Sequence, residues 1–185
     1  MKIVIIGSST GGPRVLFDIF TDLPKLGAAI IIVQHMPAST TGRLAKRLSQ
    51  LTANEVIIPE DHTRIVQGTI IVAKGDFHLT LENNEIIHLN QSEKVNFVRP
   101  SIDVSMFSLQ QDSRNSILGV ILSGMGSDGA DGLAHLKDIS AVTAVQDPHT
   151  CTIRSMPESA LKTDKVDHIL TPEKLKELIL KFSES

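Results

Sequence analysis

Ile3-Val4-Ile5-Ile6-Gly7-Ser8-Ser9-Thr10-Gly11-Gly12-Pro13-Arg14-Val15-Leu16-Phe17-Asp18-Ile19-Phe20 is the stretch that decides the fold. Its first four residues are apolar whichever way they point, the signature of a strand covered on both faces. A glycine- and hydroxyl-rich turn then breaks the strand, and Val15, Leu16, Ile19 and Phe20 recur at helical spacing. The same unit follows at once. Residues 28–33 are again apolar on both faces and end at Gln34-His35-Met36-Pro37, and Leu44, Leu48 and Leu51 mark a helix that Ser39 or Thr40 is placed to cap.

The middle of the chain reads differently. Residues 55–59, 69–73, 77–81 and 85–89 are short strand candidates separated by turn residues, with Asn83-Asn84 as a hairpin loop. Strand and helix alternate again from Ser101: a helix at about 103–111, a strand at 118–122, a helix starting near Ser127, and strands at 142–145 and 166–170. Thr171-Pro172-Glu173 opens a C-terminal helix, with Pro in its first turn. The pattern predicts one α/β domain over residues 1–185, a doubly wound, mainly parallel, Rossmann-like sheet with an inserted antiparallel hairpin.

Composition narrows the function. The chain has 185 residues, 18 basic and 21 acidic side chains, no Trp or Tyr, six Phe and a single Cys. A net charge of −3 and so few aromatics argue against a nucleic-acid binder. The longest apolar run, residues 26–33, is far short of the ~20 residues that span a bilayer, and no signal peptide is visible. One cysteine excludes an internal disulfide and a CxxC zinc site, and the seven histidines show neither HxH nor HExxH spacing. The expectation is a cytoplasmic protein without cofactor or metal.

In open parallel sheets ligands gather where strands end, so the residues just after each strand carry the information. Gly7-Ser8-Ser9-Thr10-Gly11 has the form GxSxG, with Ser9 on a turn that projects a hydroxyl; the alternative is a glycine-rich turn with capping hydroxyls. His35 follows the second strand, where imidazole serves as a base near neutrality or fills a polar pocket. Asp128 is expected in the first turn of the helix after Ser123-Gly124-Met125-Gly126-Ser127, where it either orients a histidine or interacts with the helix dipole. Together a hydroxyl, an imidazole and a carboxylate at three strand ends form a nucleophile, base and orienter set suited to acyl transfer. Backbone N–H groups after Ser9 and within Gly124-Met125-Gly126 are candidates for holding an oxyanion. The chain order Ser, His, Asp is not that of the α/β-hydrolases.

Five separated segments, Ile6-Gly7-Ser8-Ser9-Thr10-Gly11-Gly12, Val33-Gln34-His35-Met36-Pro37, Arg99-Pro100-Ser101-Ile102-Asp103, the run from Gly119 through Leu122-Ser123-Gly124-Met125-Gly126-Ser127-Asp128-Gly129, and Gln146-Asp147, resemble in order the catalytic domain of CheB chemotaxis protein-glutamate methylesterases. The resemblance implies hydrolysis of γ-glutamyl methyl esters on chemoreceptor cytoplasmic helices, with release of methanol and often glutamine deamidation. It places the nucleophile on Ser9, the base on His35 and the aspartate on Asp128, with the Met125 N–H at the oxyanion and Thr10 beside the nucleophile. Arg99 either orients a substrate carboxylate or ties down the loop before Pro100.

Two segments depart from the family pattern: Lys74 stands where the family has Pro, ahead of Gly75-Asp76-Phe77-His78, and Ser155-Met156-Pro157-Glu158 replaces Gly-Met-Pro-Arg. Gly75, Asp76 and His78 read as a turn or as cleft rim, and Met36, Met125 and Met156 as a soft wall near the site or as gap fillers. Cys151 reads as a buried thiol. The rival readings are a flavodoxin-like module cradling a phosphate at residues 8–12 and a catalytically silent chemosensory adaptor. Because the first strand begins almost at Met1, no receiver domain is expected ahead of it. That leaves a stand-alone esterase or an isolated catalytic fragment, in neither case controlled by phosphorylation of an attached receiver.

Overall fold

The computed structural model describes residues 1–184. In chain order its elements are β1 (Lys2–Ser8), α1 (Gly12–Phe20), β2 (Ala29–Gln34), α2 (Ala38–Ser49), β3 (Glu55–Ile57), β4 (Thr69–Val72), β5 (His78–Glu82), β6 (Ile86–Asn90), α3 (Ile102–Phe107), β7 (Ser116–Ile121), α4 (Ala130–Asp138), β8 (Val142–Gln146), α5 (Ser155–Leu161), β9 (His168–Leu170) and α6 (Pro172–Glu184). Seven strands form one sheet in the order β3-β4-β2-β1-β7-β8-β9, every pairing parallel. β5 and β6 form the inserted antiparallel hairpin, turned by Asn83 and Asn84 in left-handed conformations.

The alternation along β1 builds two cores. Ile3 and Ile5 pack with Ile31, Val33 and Ile71 against α3, α4, α5 and the hairpin, while Val4 and Ile6 pack with Ile30, Ile32 and Ile70 against α1, α2 and α6. Residues 3–6 are fully buried because β1 is the central strand and has a layer of helices on each face. The sheet is doubly wound, as the sequence pattern requires.

Several boundaries differ from expectation for local reasons. α2 starts at Ala38 with Pro37 in the capping position, and neither Ser39 nor Thr40 caps it. α3 is capped by the Ser101 hydroxyl, which accepts from the Val104 N–H, and it stops at Phe107 rather than reaching 111. α4 begins at Ala130 behind Gly129, whose φ of 94° turns the chain, so Asp128 lies in the preceding loop and not in the first helical turn. α5 was not expected as a helix. The strand expected at 166–170 pairs only from His168.

Burial depth should set the cost of truncation. Ile31→Ala, in the middle of β2, is expected to lower unfolding free energy by about 2–5 kcal/mol. Ile169→Ala, on the half-exposed edge strand β9, should change it by less than about 0.5 kcal/mol. Urea titration of both variants against the parent measures the difference.

Candidate active site

The register of the central strands brings the candidate residues together. β1 and β2 pair as far as Ser8 opposite Gln34, so Ser9 and His35 are the next residues on adjacent strands. β7 lies on the other side of β1, with Gly7 opposite Ile121, and delivers the 123–128 loop to the same edge. The backbone fixes Ser9: its N–H donates to Ser123 O at 3.0 Å and its carbonyl accepts from Gly12 N–H at 2.9 Å. Gln34, buried and bonded to the Ser8 hydroxyl, donates from Nε2 to the carbonyls of both Ser9 and His35 at 3.0 Å. Ser9 and His35 line one cavity of about 420 Å³ with Thr10, Gly11, Phe17, Met36 and Arg43.

Asp128 provides the second half of the site. Its Oδ2 is 2.7 Å from His35 Nε2 and accepts the Ile102 N–H at 2.6 Å. Its Oδ1 accepts from Ser101 Oγ and Asn96 Nδ2, each at 2.8 Å, and from the Asp103 N–H at 3.2 Å. Burial alone would raise the Asp128 pKa, but hydrogen bonds from His35, Asn96, Ile102 and Ser101 outweigh it and hold the carboxyl well below its ordinary value. An ionised carboxylate only accepts, so His35 carries its proton on Nε2 and keeps the Nδ1 lone pair for another partner.

A second carboxylate backs the first. Asp103, also buried, accepts the N–H groups of Gly129 and Gly132 at 2.9 and 2.7 Å on Oδ1 and Asn96 Nδ2 at 2.8 Å on Oδ2. Burial pushes its pKa up to about 6; the Gly132 and Asn96 bonds pull it down, while the neighbouring charges of Asp128 and Asp131 add to the rise.

The remaining candidates separate. Thr10 lines the cavity with Ser9, and the N–H groups of Thr10 and Met125 have no acceptor among the described residues. The Met125 side chain is exposed, Met36 lines the cavity, and Met156 is fully buried beneath Gly124, so the three do not form one wall. Arg99 borders a second cavity with His35, but its guanidinium is committed to Asp76 (2.7 Å) and to the carbonyls of Gln91 and Ser92 at 2.9 and 2.7 Å. That arrangement is the loop tie of its two expected roles. His78 is buried and structural, accepting the Ser101 N–H on Nδ1 and reaching Glu93 O from Nε2. Glu158 pairs with Arg154 one turn away. Burial, then the charges of Asp147 and Glu158, push the Cys151 thiol up to about 11, which makes it a poor nucleophile.

Three features escaped the sequence reading. Asn96 had no reading from the sequence, and Ser101 and Asp103 stood inside a quoted motif without a role. Asp61, His62 and His88 meet on the hairpin surface, their ligand-type atoms within 4.8 Å of one another, a grouping that chain spacing does not reveal.

Residues 4–179 match the CheB methylesterase family model. The chain belongs to the CheB methylesterase family. The CheB methylesterase catalytic domain of Thermotoga maritima superposes with a TM-score of 0.91 at 36% identity, covering 97% of both chains. Curated relatives named protein-glutamate methylesterase/protein-glutamine glutaminase include those of Hydrogenovibrio crunogenus, 37% identical over 97% of this chain and 50% of the relative, and Thermotoga maritima, 40% identical over 96% and 54%. A Leptospira interrogans protein, named as a putative member, is 36% identical over 98% of this chain and 95% of its own length. The chain thus spans about half the length of the first two relatives and nearly all of the third. CheB membership sets aside the flavodoxin-like reading. No helix among the described residues is long and apolar enough to cross a membrane.

The raised Asp103 pKa has a thermodynamic sign. Between the ordinary carboxyl value near ~4 and about 6 the native state keeps a proton that the unfolded chain releases, so this group's stabilisation is full below pH ~4 and is lost as pH rises to about 6. In Asp103→Asn, whose Oδ1 can still accept from both glycines, the difference in urea midpoint from the parent should change across pH 4–6 and stay flat above it.

Proposed function

We propose that this CheB-family chain is a protein-glutamate methylesterase, acting in the cytoplasm on γ-glutamyl methyl esters of chemoreceptor helices, with Ser9 as nucleophile, His35 as base and Asp128 as orienter. The observation that carries the reading is the His35–Asp128 contact at 2.7 Å, beside a cavity that His35 shares with Ser9. The protein-glutamate methylesterase/protein-glutamine glutaminase relatives support the substrate class.

In this mechanism Ser9 Oγ attacks the ester carbonyl carbon while its proton passes to His35 Nδ1. Asp128 stabilises the imidazolium through Nε2–H, and the free N–H groups of Thr10 and Met125 receive the developing oxyanion. Collapse of the tetrahedral adduct breaks the bond to the methoxy oxygen, which leaves as methanol with the proton from His35. Water then attacks the acyl-serine, His35 again taking the proton, and releases the γ-carboxylate and free Ser9. A glutamine carboxamide would follow the same path with ammonia as leaving group, giving the deamidase activity. No metal or redox step is required.

Methanol release from a methylated chemoreceptor tests the reading. Ser9→Ala is expected to reduce it by at least about 10³-fold with the fold intact, and Asp128→Asn by about 10³–10⁴-fold, because the amide presents the wrong partner to His35 Nε2. Retention of most activity in Ser9→Ala would remove Ser9 as the nucleophile.

A further inference from the structure

Two consecutive residues at the cleft rim adopt a backbone conformation that one of them strongly disfavours. Asn96 (φ 53°) and Phe97 (φ 66°) are the central residues of a tight hairpin closed by reciprocal N–H to O bonds between Val95 and Val98 at 3.2 and 3.1 Å. Two left-handed central residues suit Asn followed by Gly. An aromatic side chain in the second position is strained, and strain of this kind is a pointer to function.

The turn has two faces. Inward, Asn96 Nδ2 donates to both Asp128 and Asp103 at 2.8 Å, which fixes the turn relative to the partner of His35. Outward, Phe97 is 95% exposed, more than any other large apolar side chain described, and it borders the 590 Å³ cavity shared with His35, Met36 and Lys94. Lys94 there, and Arg43 in the adjoining Ser9 cavity, form no salt bridge with a described carboxylate. A projecting ring beside Lys94, whose charge also acts on Asp76, and Arg43 complements an amphipathic helix that carries an apolar stripe and glutamyl side chains.

We propose that Phe97 is the docking residue for the protein substrate, seated in the apolar stripe of a chemoreceptor helix while Asn96 holds it in fixed register with Asp128. The proposal rests on the esterase reading for its partner. It explains why an exposed aromatic occupies a position where glycine would relieve the backbone.

Binding separates this inference from the chemistry. Affinity for a methylated chemoreceptor cytoplasmic fragment is measured by calorimetry with Ser9→Ala as reference, then with Phe97→Gly and Phe97→Tyr added. Glycine suits the left-handed position, so the melting temperature should be unchanged or higher. Phe97→Gly is expected to weaken binding by about tenfold to hundredfold, and Phe97→Tyr to restore it to within about threefold. With Ser9 present, the loss should appear in KM for the receptor rather than in kcat. Phe97-dependent binding by a chain that releases no methanol would keep the docking role and remove the esterase reading. Methanol release with a receptor affinity indifferent to Phe97 would do the reverse. Absence of receptor binding by Ser9→Ala, or self-association that Phe97→Gly abolishes while receptor binding persists, would also overturn the proposal.

Discussion

The cleft depends on how one buried carboxylate stays ionised without a lysine or arginine beside it. Asp128 is 3% exposed, and its one ion-pair partner among the described residues is His35. The compensation comes from hydrogen bonds donated by His35, Asn96, Ser101 and the backbone of Ile102 and Asp103. These donors arrive from the end of β2, the turn before α3 and the first residues of α3, so one side chain ties together segments distant in sequence. In a low-dielectric site each such bond is stronger, and losing any one leaves a charge short of partners. The same bonds leave the carboxylate a single role toward His35, that of acceptor.

Asp103 shows why the neighbouring acid does not compete for that role. Two adjacent buried carboxylates cannot both ionise cheaply, and the number of donors decides between them. Asp128 collects enough donors to overcome burial. Asp103 receives the Gly129 and Gly132 N–H groups and one bond from Asn96, and burial prevails. Asn96, donating to both, is the hinge of this division, which gives a single asparagine influence over the charge state of the site.

The fold was legible because β1 and β2 are apolar on both faces and each is followed at once by a polar turn and a helix. That pattern fits little besides a covered parallel sheet. Ser9, His35 and Asp128 were legible for the same reason, since a parallel sheet collects its strand ends on one edge. α5 was hidden because seven residues with Pro157 inside, and only Met156, Pro157 and Ala160 buried, offer no helical period to read. Asn96 and Asp103 were hidden for a different reason. Their roles arise where the loop before α3 folds back on Asp128, and no local period encodes that approach. The Asp61, His62 and His88 grouping is likewise a product of loop and hairpin register.

The sheet order also explains why the two halves of the site are held by different means. β1 is followed by α1 on one face and β7 by α4 on the other, so the chain departs in opposite directions and a crevice opens between their ends. The floor of that crevice is backbone against backbone: Ser9 N–H meets Ser123 O, and a Cβ on Gly124 would fall 2.7 Å from that of Ser9. Ser9 is therefore positioned by main-chain contacts that tolerate no added side chain at residue 124. His35 is aimed instead by a side-chain network reaching to Asn96. Changes along the β7 loop thus act on where the hydroxyl stands, and changes in the turn before α3 act on where the imidazole points.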